Sequence, residues 1–159
     1  MSESYQETLE GSTVTRNAPG VRHELICGWL HDCVQAGIAN LASARLLERR
    51  SPVKLASGTI VRPDLALVTA ATGKLWLAVE IVNSDDHGID TVVKKQAYEE
   101  AKLPRLWMID PRYDNVEVYH GGEYGLMLKS ILAGRDILTE RLLPEFQLAV
   151  VDLFAVPAS

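Results

Sequence analysis

The sequence predicts an α/β sandwich: a mixed β-sheet flanked by helices. Three observations carry that expectation. Apolar residues recur at helical spacing from Val21 to Val34. Two continuous apolar runs, Lys74–Val82 and Leu106–Ile109, have strand length and read as strands covered on both faces. A helix-period stretch, Ile89–Lys102, lies between them, giving the strand–helix–strand order of an α/β layer.

Taken in order, residues 1–18 are polar, lack periodicity and read as a flexible N-terminal arm ahead of one domain over 19–159. Pro19-Gly20 opens the first helix. Val21, Leu25, Ile26, Trp29, Leu30, Cys33 and Val34 form its broad apolar face, Glu24, His31 and Gln35 lie opposite, and Gly37 closes it. Ile38–Leu47 and Val53–Val61 read as strands, broken by Arg49-Arg50-Ser51-Pro52 and by Ser57-Gly58. Asp64–Thr69 is a further strand, which Thr72-Gly73 turns back into Lys74–Val82. In the second helix Val93, Ala97 and Ala101 make a narrow apolar stripe, and Pro104 ends it. Asp110-Pro111 stops the next strand. Val116–His120 and Tyr124–Ile131 read as a hairpin joined at Gly121-Gly122, and the apolar tail Gln147–Phe154 caps the core.

Composition narrows the function. The chain has 159 residues, 47% hydrophobic and 23% charged, which is globular rather than disordered. Sixteen Lys and Arg against 21 Asp and Glu leave a net charge of −5, excluding a nucleic-acid binder that works by bulk positive charge. A local basic groove beside an acidic site is still allowed. On a helix Cys27 and Cys33 would point about 120° apart, so no disulfide is expected. No Cys/His cluster has zinc spacing, and no apolar run nears the ~20 residues that span a membrane. The expectation is a reduced, cytoplasmic chain with no membrane association.

Three residues stand out. Glu80 interrupts the most apolar strand, where a carboxylate costs several kcal/mol unless it is protonated, paired or bound to a metal; alternatively it reaches solvent at the strand's end. Asp64 starts the neighbouring strand, and hairpin pairing would bring the two carboxylates together at one end of the sheet. Such a pair repels unless a cation lies between, and hard oxygen ligands favour Mg²⁺ or Mn²⁺. Lys94 borders the buried stripe of the second helix, with Asp90 and Tyr98 on its own face; it could point at the carboxylates or simply pair with Asp90. Arg45, Arg49, Arg50, Lys54 and Arg62 form a basic cluster that suits a groove tracking a phosphate backbone and equally suits a solvated hairpin tip. His23, His31, His87 and His120 read as structural, Ser84-Asp85-Asp86-His87-Gly88 as a helix cap, and Trp29, Trp76 and Trp107 as core.

Asp after Pro, Glu in an apolar strand and then Lys resembles the PD-(D/E)XK nuclease superfamily. More narrowly, Arg62-Pro63-Asp64, Ala78-Val79-Glu80-Ile81-Val82, Asp90 with Lys94 and Tyr98, and Leu103-Pro104 through Asp110-Pro111 are similar to the Uma-two family of restriction endonuclease-like proteins. The likeness implies a restriction endonuclease-like fold, with Asp64, Glu80 and the Ile81 carbonyl as metal ligands. It implies Lys94 as the catalytic lysine and Glu24, Asp90 and Tyr98 as supporting groups. In the wider superfamily the lysine follows the glutamate by two positions, where this chain has Val82; Lys94 matches the family's placement on the next helix. Asn83-Ser84 stands where the family often has Ser-Pro. The implied activity is Mg²⁺- or Mn²⁺-dependent hydrolysis of phosphodiester bonds in DNA by a homodimer. The alternatives are a catalytically inactive nuclease-like scaffold or oligomeric binding protein, and a metal-dependent phosphatase.

Overall fold

The computed structural model describes residues 3–55 and 58–155. Ser57 of the expected Ser57-Gly58 break, and the ends of the expected arm and domain at residues 1–2 and 156–159, lie outside the described residues. The elements run β1 (Tyr5–Leu9), β2 (Ser12–Arg16), α1 (Val21–Ile38), β3 (Ala44–Leu46), β4 (Val53–Lys54), β5 (Ile60–Val61), β6 (Leu65–Thr69) and β7 (Leu75–Ile81). A π-helical segment, Ile89–Lys94, leads straight into α2 (Lys95–Glu100). Then follow β8 (Arg105–Asp110), β9 (Asn115–Gly122), β10 (Gly125–Ala133), β11 (Ile137–Glu140), β12 (Leu143–Ala149) and α3 (Val150–Phe154).

Six strands form the central mixed sheet in the order β10-β9-β8-β7-β6-β3. β7 and β8 pair in parallel across the π/α2 crossover, and the remaining pairs are antiparallel. The α/β class is therefore as expected. Strand alternation divides the core. Leu65, Leu67, Leu77, Val79, Ile81, Trp107 and Ile109 face α1, β12 and α3, where Trp107 stacks on Phe146. Ala78, Leu106 and Met108 face Tyr98, Leu103 and a second, four-stranded sheet, β2-β1-β5-β4.

That second sheet corrects the expected arm. Residues 5–16 form a hairpin whose turn residues, Glu10 (φ 52°) and Gly11 (φ 81°), both take the left-handed conformation that two-residue hairpin loops use. Thr8 pairs with Ile60, and the Gly11 N–H donates to the Gly58 carbonyl at 2.7 Å. No apolar alternation announced these strands because their most deeply buried side chains are Glu7 and Arg16, each 1% exposed.

Other boundaries move for local reasons. α1 continues through Gly37, where a Cβ would approach the Phe146 Cβ to 2.9 Å, so this glycine serves packing rather than termination. The expected strand Ile38–Leu47 accordingly shrinks to β3. Val21, Leu25 and Trp29 point outward, while Ile26, Cys27, Leu30, Val34 and Ile38 face the core. Trp107 is core, whereas Trp29 is not. The β9–β10 turn lies at Glu123-Tyr124, beyond Gly121-Gly122, since Gly122 pairs with Gly125.

Arg16 measures how firmly the hairpin is docked. Its guanidinium donates from Nη1 to Glu7 (2.6 Å), from Nη2 to Asp90 (2.8 Å) and from Nε to Asp86 (2.7 Å). Arg16→Ala leaves buried carboxylates without their cation and should lower stability by about 3–5 kcal/mol in urea denaturation. A loose arm would change it by less than about 0.5 kcal/mol.

Candidate active site

β6 and β7 are antiparallel with Leu65 opposite Val79, so one step further the register sets Asp64 beside Glu80. Asp64 immediately precedes β6 and Glu80 is the penultimate residue of β7; they are 2% and 1% exposed. Asp64 Oδ2 accepts the Ile81 N–H at 2.8 Å, and its Oδ1 accepts from Arg50 Nε at 3.1 Å and lies 3.1 Å from His23 Nε2. Arg50 also pairs bidentately with Glu24. Burial alone would raise the Asp64 carboxyl; His23, Arg50 and the Ile81 N–H overcome it and hold the group down to about 2.

Glu80 sits in the opposite electrostatic setting. Its Oε2 accepts from Tyr98 Oη at 2.5 Å and lies 2.7 Å from Lys94 Nζ. Burial pushes its carboxyl up to about 8, with Asp64, Asp90 and Glu7 adding and Lys94 opposing. Lys94 is fully buried, which disfavours its charge, yet Glu80, Glu7 and Asp90 hold its pKa above the ordinary lysine value. Burial and the same Glu80 raise the Tyr98 hydroxyl, so it stays a donor.

The second helix reaches this site by turning its polar line inward. Asp90, Lys94 and Tyr98 are buried, while Val92 and Val93 are 62% and 40% exposed. The expected apolar stripe of Val93, Ala97 and Ala101 is therefore not the packing face. A π-helical turn spans the segment through Lys94, and such turns recur at functional sites. Asp90 accepts Arg16 and, at 3.0 Å, the Asn83 N–H. It thus fixes the loop after β7 and the hairpin together. Glu24 acts through Arg50, one step removed from Asp64.

The basic residues divide. Arg50 is in the site. The Arg62 guanidinium binds the Gln6 and Arg50 carbonyls, and Arg49 lies over α1 at Gly28. Arg45 and Lys54, joined by Lys74, line a separate open groove of about 540 Å³ whose lining holds no acid. A second cavity, about 500 Å³, adjoins the site and is lined by His23, Val82 and Asn83, with Arg22, Asp85 and Arg112 also on its walls.

Several site residues escaped the sequence. His23 and His31, read as structural, both reach Asp64: His31 Nε2 lies 2.8 Å from its backbone carbonyl. Asp86, read as part of a helix cap, instead binds Arg16, and the following helix starts without a side-chain cap. Glu7 lies 2.7 Å from Lys94 Nζ, from a segment expected to be mobile. The signal that would have found it is the Glu10-Gly11 turn between two stretches of β-compatible residues.

The oxygen-only set of Asp64, Glu80 and the Ile81 carbonyl has the chemistry of a hard divalent-cation site. Among the described residues no group of three or more His, Cys, Asp or Glu side chains gathers that could hold a metal ion. The side chains thus offer two carboxylates and leave further ligands to backbone and solvent.

The family described as Uma2, "Putative restriction endonuclease", matches residues 2–151. The chain belongs to this family. A crystal structure described as a putative nuclease belonging to DUF820 from Anabaena variabilis ATCC 29413 is similar in fold. Its TM-score is 0.77 at 16% identity, covering 94% of this chain and 89% of that one. No curated protein matches. The Uma2 assignment gives the chain a restriction endonuclease-like fold and a general nuclease character. No helix among the described residues is long and apolar enough to cross a membrane.

In this Uma2 chain, ionising Glu80 without a metal works against the fold. A carboxyl whose folded pKa is raised stabilises below the unfolded value, near 4.5, and that stability is lost as pH rises through about 8. Glu80→Gln should therefore lose less thermal stability than the wild type between about pH 5 and about pH 9 in EDTA. A pH-independent difference between the two would contradict the burial argument.

Proposed function

We propose that this Uma2 chain is a divalent-cation-dependent endonuclease that hydrolyses phosphodiester bonds in DNA. The observation that carries the reading is the meeting of Asp64, Glu80 and Lys94, from three separate segments, at one end of the β6–β7 hairpin. Asp64 and Glu80, with the Ile81 carbonyl, would hold Mg²⁺ or Mn²⁺. That ion supplies Lewis-acid polarisation of the phosphate and lowers the pKa of a bound water.

The chain's own groups do the rest. The Ile81 N–H, His23 and Arg50 keep Asp64 ionised and oriented, so no proton competes for it at neutral pH. Tyr98 Oη fixes the rotamer of Glu80 through a 2.5 Å hydrogen bond. Lys94 contributes a preorganised positive charge, free of the reorganisation that solvent would need, against the negative charge that develops on the phosphate. The cavity beside His23, which carries Arg22, Arg112 and Asp85 on its walls, would be the way in for substrate.

Asp64→Asn and Glu80→Gln should each abolish Mg²⁺-dependent nicking of supercoiled plasmid, and Lys94→Met should slow it by about 10²–10³-fold. Cleavage intact in any of these variants removes the site assignment. Absence of Mg²⁺ and Mn²⁺ binding by the wild type in calorimetry would favour the non-catalytic scaffold.

A further inference from the structure

We propose that Glu7, delivered by the N-terminal hairpin, is a positioning residue of the nuclease centre that anchors the Lys94 ammonium. This rests on the endonuclease reading for its catalytic meaning, though not for its geometry. Lys94 Nζ lies 2.7 Å from Glu7 Oε2 and 2.7 Å from Glu80 Oε2, so the ammonium is shared between two carboxylates on different elements.

Glu7 is itself held on every side. Oε1 accepts from Arg16 Nη1 at 2.6 Å, and Oε2 accepts the Arg62 backbone N–H at 2.6 Å. Arg16 is pinned in turn by Asp86 and Asp90. The carboxylate is therefore fixed by the backbone of the strand-to-loop segment just before Asp64 and by the loop just after Glu80. A side chain needed only for hairpin packing would be apolar here, because burying a carboxylate costs several kcal/mol before its partners compensate.

The second anchor matters because of what Glu80 must do. A divalent cation held by Glu80 would repel the ammonium, which lies 2.7 Å from that carboxylate's Oε2. With Glu80 as its single carboxylate partner, Lys94 would either exclude the cation or be driven out of the site. Glu7 gives the ammonium a partner outside the cation's ligand set, so Lys94 stays within reach of the reacting phosphate while Glu80 is engaged. Removing the Glu7 charge should therefore weaken cation binding and misplace Lys94 without altering how DNA is gripped.

The test uses the full chain as wild type, Glu7→Gln and Glu7→Asp, each checked for folding by circular dichroism. In metal-free, ¹⁵N-lysine-labelled protein, the buried Lys94 ammonium should give a slowly exchanging ¹⁵Nζ signal in the wild type. That signal should be lost in Glu7→Gln and partly retained in Glu7→Asp, the conservative variant. With Mg²⁺, Glu7→Gln should show kcat for plasmid nicking reduced about 10²-fold, KM for plasmid within twofold, and Mg²⁺ affinity lowered at least fivefold in calorimetry. An unchanged Lys94 signal in folded Glu7→Gln, or a change confined to KM, overturns the proposal. If Glu7→Gln does not fold, Glu7→Asp decides by the same signal. A wild type that neither binds Mg²⁺ nor cleaves would defeat the endonuclease reading instead, while the ammonium signal still reports whether Glu7 holds Lys94.

Discussion

A lysine ammonium with no exposure to solvent is the constraint around which this fold is arranged. A buried charge survives only when opposite charges and hydrogen-bonding groups replace its water. Here the replacements come from β1 (Glu7), β7 (Glu80) and Asp90 of the π-helical segment, three parts of the chain that no local interaction would bring together. Docking of the hairpin, placement of the crossover helix and the end of the β6–β7 hairpin are thereby tied to one point. Arg16 extends the same logic outward, because the carboxylates gathered near Lys94 outnumber it and require a second buried cation.

The two central carboxylates sit in opposed environments although they are neighbours. Asp64 receives an N–H, a guanidinium and an imidazole, and its carboxyl is pulled down to about 2. Glu80 has Lys94 and Tyr98 on its Oε2, yet burial, with Asp64, Asp90 and Glu7 nearby, pushes it up to about 8. Enzymes place neighbouring titratable groups in such opposed environments to give them different roles, and buried ion-pair networks perturb them in the same way. In the proposed endonuclease, a proton on Glu80 and a cation held there would exclude each other.

The strands were legible because their physics is local. The continuous apolar run around Leu77, Ala78, Val79, Ile81 and Val82, which marks a strand covered on both faces, is written in the residues, and so is the Thr72-Gly73 turn that sets Asp64 beside Glu80. Lys94 with Asp90 and Tyr98 could be placed on one helical face by spacing. That this polar line, and not Val93 with Ala97 and Ala101, faces inward could not be read, since periodicity assumes that the apolar side packs. The hairpin failed for the same reason: Glu7 and Arg16 occupy its buried positions and make the strands look like solvated loop.

By itself, then, the amino-acid order determined the layer architecture, the pairing that juxtaposes Asp64 with Glu80, and the likeness to a nuclease family. Those depend on short-range periodicity, turn chemistry and motif spacing, all of which act within a few residues. Tertiary structure alone decided that His23 and Arg50 hold Asp64, that Glu7 and Arg16 close the charge network, and that the cationic side chains part into a remote groove and the site. Each of these joins residues far apart in the chain through buried electrostatics, and a charge reveals its worth only when its distant partners have displaced the water around it.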